Sequence, residues 1–287
     1  MLIGVIFALA AGMLWGSVFV VPLLLPEYPP LLQSLGRYLA FGFVALPVAW
    51  FGHAELRRLC RADWIDALKL TAVGNILYYL CLAGAIQLAG GPLPTMIIGT
   101  LPVAITVWSN LVNHQRDGHF PWAKLLPPTA IVLIGIGCVN QAELASLSAA
   151  QTATRVHYWT GAALAVGAVL CWTWYAVQNA RWLRQHPDRN PYAWATAQGL
   201  VSLSLTLFGY AAVWLWYAAA GNLFVMPFGP RPEFFIVTML AIGLFASWIG
   251  TICWNQASQR LPTALVGQLI VFETLAALIY AYLLRRQ

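Results

Sequence analysis

Polar and aromatic side chains that could bind a small solute recur at helical spacing inside long apolar segments. Residues three or four positions apart share one face of a helix, and three such faces occur. They are formed by Asn75, Tyr78 and Tyr79; by Trp172, Tyr175 and Asn179; and by Trp248, Thr251 and Asn255. Because rings bury apolar area while amides hydrogen-bond polar groups, these faces predict a cavity for an amphiphilic organic molecule. The alternative is that the rings fill space between helices and the amides join neighbouring helices.

Two charged side chains lie within the same apolar segments. Arg37 lies about a third of the way along one segment, and Glu273 lies near the middle of another. An ionised group at such a depth costs about 2.5–3.5 kcal/mol on insertion scales, so it needs a partner or water. Arg37 is interpreted as a structural anchor or, alternatively, as the partner of a solute carboxylate. Glu273 is interpreted as a protonated or hydrogen-bonded structural acid, with proton coupling as the alternative.

Glycine and proline interrupt two of the segments. Gly99 and Pro102 lie in one and Gly267 in another, and each removes a side chain or a backbone donor. Such positions permit a bend about which a transporter rocks. Close packing of small residues against a neighbouring helix is the competing interpretation.

The segments that carry these residues define the fold class. Of the 287 residues, 61% are hydrophobic and 8% are charged, whereas a soluble domain carries about 25% charged residues. This composition excludes a soluble enzyme, a secreted domain and a nucleic-acid-binding domain. Since about 20 apolar residues span a bilayer, we predict an all-α, multi-pass membrane protein. The nine predicted spans are residues 2–24, 31–51, 67–88, 92–112, 124–140, 158–180, 191–218, 232–256 and 262–283.

Basic residues set the predicted orientation. With a cytoplasmic N-terminus, the cytoplasmic connections hold Arg57, Arg58, Arg61, Lys69, Arg116, Lys124, Arg181, Arg184, Arg189 and Arg260. The opposite side then holds Arg155, Arg231, Arg285 and Arg286. Because cytoplasmic loops are enriched in Lys and Arg, we expect the N-terminus in the cytoplasm.

Several kinds of chemistry are excluded by the distribution of residues. The histidines lie in loops without metal-ligand spacing and the cysteines form no CxxC pair, so we expect no metal and no other cofactor. No phosphate-binding GxxxxGK[S/T] loop occurs, and nothing implies an ATPase subunit. Tryptophans near segment ends are interpreted as a belt at the membrane surface. They are Trp50, Trp64, Trp122, Trp159, Trp194, Trp214 and Trp216.

An internal repeat relates two parts of the chain. Cys81, Ala85 and Gln87 match Cys253, Ala257 and Gln259, and Pro94-Thr95 and Gly99 match Pro262-Thr263 and Gly267. A weaker match relates Ala8-Leu9 and Gly12 to Ala163-Leu164 and Gly167. Since the unit has five spans, an odd number, the second copy inserts upside down. We predict a first repeat at 1–140, a connecting loop at 141–157 and an inverted repeat at 158–287, with a tenth helix expected beyond the nine visible spans.

These motifs resemble those of the drug/metabolite transporter superfamily, specifically its EamA-type members. The resemblance rests on Ala11-Gly12-Met13-Leu14-Trp15-Gly16, Arg37, Pro94-Thr95 through Pro102, Gly135 with Gly137, and residues 163–179. It implies ten helices, cytoplasmic termini, a central cavity and a bacterial inner membrane. Within the superfamily, Trp172, Tyr175, Asn179 and Cys253-Trp254-Asn255 resemble YddG-type aromatic amino-acid exporters. The fourth span, Ile98-Gly99-Thr100-Leu101-Pro102, lacks the tryptophan that this subgroup places before its proline.

The resulting prediction is a secondary transporter, not an enzyme, working by alternating access. The resemblance implies export of amino acids, particularly aromatic or apolar ones. The predicted partners are this small-molecule solute and the lipid bilayer. The predicted cavity residues are Asn75, Tyr78, Tyr79, Trp172, Tyr175, Asn179, Trp248 and Asn255. The alternatives are the same fold exporting another metabolite or a lipophilic cation, a membrane-embedded enzyme, and a receptor or scaffold without transport.

Overall fold

A computed structural model describes residues 1–117, 152–222 and 224–285, together with isolated positions between 118 and 151. The described residues are nearly all helical, and no strand occurs among them. Eight helices within these ranges are long and apolar enough to cross a membrane. Apart from the isolated positions, the predicted fifth span at 124–140 lies outside the described residues, as do Trp122, Gly135, Gly137 and residues 141–151 of the predicted loop.

Eight membrane helices, labelled α1 to α8, match eight of the predicted spans, with ends that differ by several residues. They are α1 (Leu2–Leu24), α2 (Pro30–Phe51), α3 (Arg61–Ala89), α4 (Pro92–Leu111), α5 (Arg155–Gln185), α6 (Pro191–Ala219), α7 (Pro232–Arg260) and α8 (Leu265–Leu284). Proline opens α2, α4, α6 and α7, where no backbone donor is needed. Residues 152–157, assigned above to the connecting loop, are helical, because α5 continues a helix that begins at Thr152.

Wide π-helical turns interrupt α3 and α7 near their middles. The turns are Thr71–Leu77 and Gly243–Ile249. A π-helical turn shifts the backbone hydrogen bonds by one residue, so carbonyl groups become available to side chains. Ser34 donates to Ile76 O at 2.8 Å, and Trp15 donates to Ala246 O at 2.7 Å. Both π turns are thus held by a side chain from another helix.

The helices α4 and α8 are each interrupted once. In α4 the segment Pro92–Ile98 is followed by the helix Leu101–Asp117, which continues past Leu111, so Gly99 lies at the interruption and Pro102 just beyond it. In α8 the segment Thr263–Leu269 is followed by Val271–Arg285, and both extend slightly past the apolar span Leu265–Leu284. Gly267 lies before the second interruption, and a Cβ there would be 2.8 Å from Ile105 Cγ2. This glycine therefore permits close packing of α8 on α4.

Helix packing interleaves the two predicted repeats. Helix α1 packs against α7 and α8, and α5 packs against α3 and α4. Small residues permit both approaches, since a Cβ at Gly4 would meet Leu261 and a Cβ at Gly161 would meet Ala89. Helix α2 crosses α6. The contacts are reciprocal, as two repeats related by a two-fold axis would make them.

Candidate solute-binding site

A small cavity lies near the middle of the bundle. Its walls come from α1, α2, α3, α5, α7 and α8, and its volume is about 20 Å³, which is room for about one water molecule. The lining residues are Trp15, Val18, Arg37, Tyr38, Asn75, Tyr78, Trp172, Tyr175, Ser247, Thr251 and Glu273. The helices must separate before a metabolite the size of an amino acid fits, so the described conformation is occluded.

Arg37 extends into the cavity from α2 and is held there by one hydrogen bond and two cation–π contacts. Its side chain is buried, and its Nε donates to Ser247 Oγ at 2.9 Å. The guanidinium lies 4.5 Å from the ring centre of Tyr79 and 5.0 Å from that of Tyr38. Cation–π contacts of this kind strengthen when water is excluded. These contacts hold the positive charge at the centre of the bundle, away from the membrane surface.

Glu273 lines the same cavity from α8. It is 1% exposed, and its Oε1 accepts a hydrogen bond from Tyr78 OH at 3.4 Å. Helix α1 approaches closely here, because a Cβ at Gly12 would lie 3.0 Å from Glu273 N. Among the described residues, no ion pair shorter than 4 Å joins Glu273 to Arg37. The cavity is therefore lined by both ionisable groups, and each keeps separate contacts.

Three buried polar atoms of the cavity residues have no hydrogen-bond partner within the described chain. They are Arg37 Nη1, Asn75 Nδ2 and Glu273 Oε2. An unpaired buried polar group costs about 1–3 kcal/mol, and more when charged. Two donors and one acceptor complement a molecule that carries both an acceptor group and a donor group.

Aromatic rings form much of the remaining wall. Trp172 packs edge-on against Trp15 at 5.1 Å, Tyr175 at 5.5 Å and Tyr78 at 6.3 Å between ring centres. It also meets Trp254 at 4.9 Å. Edge-on packing of this kind adds to the energy of area burial. The wall thus offers apolar area beside the two charges.

The structure divides the predicted cavity residues into two groups. Asn75, Tyr78, Trp172 and Tyr175 line the cavity. The other four do not line it. Tyr79 lies beside Arg37, and its hydroxyl donates to Val18 O. Trp248 is half-buried, and Asn179 and Asn255 are hydrogen-bonded to each other.

Ser247 contacts Arg37 directly, yet no pattern in the sequence marks it as a cavity residue. A serine in an apolar run has no periodic partners that mark it. The internal repeat held a usable signal, because Ser247 matches Asn75 in the register set by Cys81 and Cys253. Both residues lie in the π turns and line the cavity.

The amides of Asn179 and Asn255 close one end of the bundle. We call it the basic end, because Arg57, Arg58 and Arg61 lie there. Asn179 donates to Asn255 Oδ1 at 2.9 Å and accepts from Trp194 Nε1 at 2.8 Å and from Gln198 Nε2 at 3.3 Å. Trp194 is 0% exposed, so its interpretation as a belt residue is wrong: its indole N–H is used inside this network.

A second set of contacts closes the opposite end. Arg231, ahead of α7, donates to the carboxylate of Glu27 in the loop between α1 and α2. The backbone N–H of Arg231 donates to Tyr28 OH at 2.9 Å, and Tyr28 OH donates to Phe228 O at 2.8 Å. The Tyr28 ring stacks on Phe235 at 4.5 Å. We call Glu27, Tyr28 and Arg231 the latch.

The latch is expected to loosen in acid. The hydrogen bond from Arg231 holds the pKa of Glu27 below its ordinary value. Since the pKa is lower in the folded state, the pair stabilises the protein above the ordinary pKa of about 4.3, and this stability is lost as pH falls through the lowered value. We expect Glu27→Gln to lower the thermal unfolding temperature slightly at pH 6, and the difference to shrink steadily as the pH falls below the ordinary pKa of a glutamate. Glu233→Gln, at an exposed acid nearby, is the control, and a difference that stays constant over this range would contradict the expectation.

A multi-pass helical bundle with an enclosed, polar, aromatic cavity at mid-depth has the architecture of a membrane solute carrier. Residues 2–139 match the EamA-like transporter family. The chain is 53% identical over 287 residues to "Inner membrane protein YtfF" of Escherichia coli (strain K12), covering 100% of this chain and 89% of that protein. The chain therefore belongs to the EamA-like transporter family, as the sequence motifs predicted.

A solved crystal structure of a protein shares the fold. The match covers 98% of this chain and 88% of the chain in that structure, with a TM-score of 0.65 and 15% sequence identity. The family is one of transporters, and the solved structure shows that the fold of this chain occurs in another protein. The narrower resemblance to aromatic amino-acid exporters stays a prediction.

Proposed function

We propose that the chain is a secondary transporter that exports small zwitterionic metabolites, foremost amino acids with apolar or aromatic side chains. The observation that carries this proposal is the set of unpaired atoms on Arg37, Asn75 and Glu273 around one cavity. An α-amino acid carries a carboxylate and an ammonium group on one carbon atom. It supplies an acceptor and a donor together, at no net charge.

The contacts expected for such a solute follow from the wall. The solute carboxylate accepts from Arg37 Nη1 and Asn75 Nδ2, and its ammonium group donates to Glu273 Oε2. An apolar side chain then packs against Trp15 and Trp172. Each contact pairs a group that has no hydrogen-bond partner in the described chain, or buries apolar area, and charge-assisted hydrogen bonds are the stronger kind.

Alternating access is the proposed mechanism. Both ends of the bundle are closed, by the Asn179–Asn255 network and by the latch, so each must open in turn. The interleaved helix packing supports the predicted inverted repeats at 1–140 and 158–287, which recur in secondary transporters. The name of the Escherichia coli relative supports a bacterial inner membrane, and the distribution of basic residues supports a cytoplasmic N-terminus.

The same cavity argues against a lipophilic cation as the solute. Glu273 alone would suit one, but Arg37 lines the same small space. Like charges repel strongly where the effective dielectric constant is low. A zwitterion satisfies both charges, whereas a cation leaves the guanidinium opposed.

Counterflow in proteoliposomes tests the proposal. We expect labelled phenylalanine to exchange saturably and to be displaced by neutral amino acids at much lower concentrations than by tetraphenylphosphonium or by carboxylic acids that lack an amino group. Protein-free liposomes are the control. Exchange of the cation without exchange of any amino acid would favour the cation exporter, and absence of flux for every solute would refute transport.

A further inference from the structure

A groove at the basic end holds polar side chains that make no hydrogen bond within the described chain. Trp174, Gln178 and Arg181 follow one another along α5 at spacings of four and three residues, so they share one face. At 3.6 residues per turn, this face lies on the opposite side of α5 from Trp172 and Asn179. The groove is therefore separate from the central cavity, with which it shares no lining residue.

The other wall of the groove comes from α3. Lys69 and Asp66 lie there, and the volume enclosed between the helices is about 340 Å³. Lys69 forms an ion pair with Asp66 at 3.3 Å, and both side chains are about half exposed. Arg181 has no ion-pair partner among the described residues. One positive charge thus remains uncompensated beside the groove.

Polarity changes with depth along the groove. Arg181 and Lys69 lie near the basic end, while Gln178 and Trp174 lie one and two turns deeper along α5. With a rise of 1.5 Å per residue, Trp174 is about 10 Å below Arg181. A membrane phospholipid has the same order: an anionic phosphate, then ester carbonyl groups, then acyl chains.

We propose that this groove binds an anionic phospholipid from the membrane leaflet at the basic end. The phosphate lies between Lys69 and Arg181, and the ester carbonyls accept from the Gln178 amide and the Trp174 indole. Basic sites between membrane helices on the cytoplasmic side suit anionic headgroups, and indole groups favour the ester region of the membrane. The site does not depend on the identity of the transported solute.

Lipid titration of the purified full chain, followed by native mass spectrometry, tests the site. Each Lys or Arg near a lipid surface contributes about a fivefold factor in affinity, so the double variant Lys69→Gln/Arg181→Gln is expected to bind phosphatidylglycerol about thirtyfold more weakly. Arg57→Gln, at an exposed basic residue of the same end, is the control and is expected to bind as the parent protein does. Unchanged phosphatidylglycerol binding by the double variant would overturn the proposal.

A second variant distinguishes an intact lipid from a free phosphate ion. Trp174→Leu/Gln178→Leu keeps both cations, and it is expected to weaken phosphatidylglycerol binding severalfold while leaving binding of glycerol phosphate unchanged. Inorganic phosphate at millimolar concentration is expected not to displace the lipid. Displacement by inorganic phosphate, or equal loss of both ligands in this variant, would contradict the lipid assignment.

Discussion

Arg37→Gln is expected to reduce counterflow of a neutral amino acid by about thirtyfold to several thousandfold. The variant removes the charge-assisted bond to the solute carboxylate and leaves that carboxylate without a cationic partner in the buried cavity. Losing one partner of a buried charge pair costs about 2–5 kcal/mol, which corresponds to this range. Arg57→Gln, at an exposed residue, is the matched control and is expected to retain flux.

Matched analogues separate a binding role for Arg37 from a structural one. The amide of an amino acid lacks the carboxylate, so its binding is expected to be nearly insensitive to Arg37→Gln and sensitive to Glu273→Gln. A carboxylic acid without the amino group is expected to show the reverse. Ligand-dependent shifts in thermal unfolding report both. Equal loss of every analogue in both variants would show that the charges only support the fold.

The same Glu273→Gln variant tests proton coupling. If Glu273 carries the coupled proton, the flux that remains in the variant loses its pH dependence. A wild-type pH profile in this variant would exclude coupling through Glu273.

Gly42→Ala is expected to destabilise the bundle by about 3 kcal/mol, at the upper end of what overpacking costs. A Cβ at Gly42 would overlap Leu203 Cβ and lie 2.8 Å from Leu203 Cα. Because the obstacle includes backbone, no rotation of a side chain relieves it, and α2 must move away from α6. Thermal unfolding in detergent measures the effect.

Gly167→Ala is the matched control for this prediction. Its added Cβ would meet Cys81 Sγ at 3.7 Å, which is ordinary contact. We expect it to unfold at nearly the temperature of the parent protein. If Gly42→Ala unfolds at the same temperature as Gly167→Ala, the α2–α6 crossing described here is wrong.

Local pattern predicted the membrane class, eight of the spans and the family. The scarcity of charge and the length of the apolar runs act within single segments, so they can be read without knowing the neighbours. The approach of Arg37 to Glu273 could not be predicted this way, because α2 and α8 are distant in sequence and no spacing rule links them. The sequence predicted a cavity of rings and amides, and the structure adds two charges.

Helical spacing also predicted more cavity-lining residues than the structure places there. It places Trp172, Tyr175 and Asn179 on one face, but only the first two line the cavity. One face of a long helix can line the cavity at one depth in the membrane and contribute to the closing network at another depth. Asn179 is hydrogen-bonded to the amide of Asn255 on α7 and does not face the cavity. The position of each residue relative to the cavity depends on where the helices cross.

The π turns were equally hidden from the sequence. Each shifts the helical register near the middle of α3 or α7 and places Asn75 or Ser247 in the cavity. The residue types in Thr71–Leu77 and Gly243–Ile249 do not predict a π-helical turn. Only comparison of the two repeats would have drawn attention to these positions.

The central claim is that one mid-membrane cavity is reached from both sides in turn. Its most direct test is Thr251→Cys in a chain whose native cysteines are replaced, reconstituted and exposed to a membrane-impermeant thiol reagent from either side. Arg57→Cys and Asn222→Cys, at opposite ends, are expected to react from one side each. Thr251→Cys is expected to react from both sides, more slowly when phenylalanine is present. Reaction from one side only, whatever the solute, would contradict alternating access through this cavity.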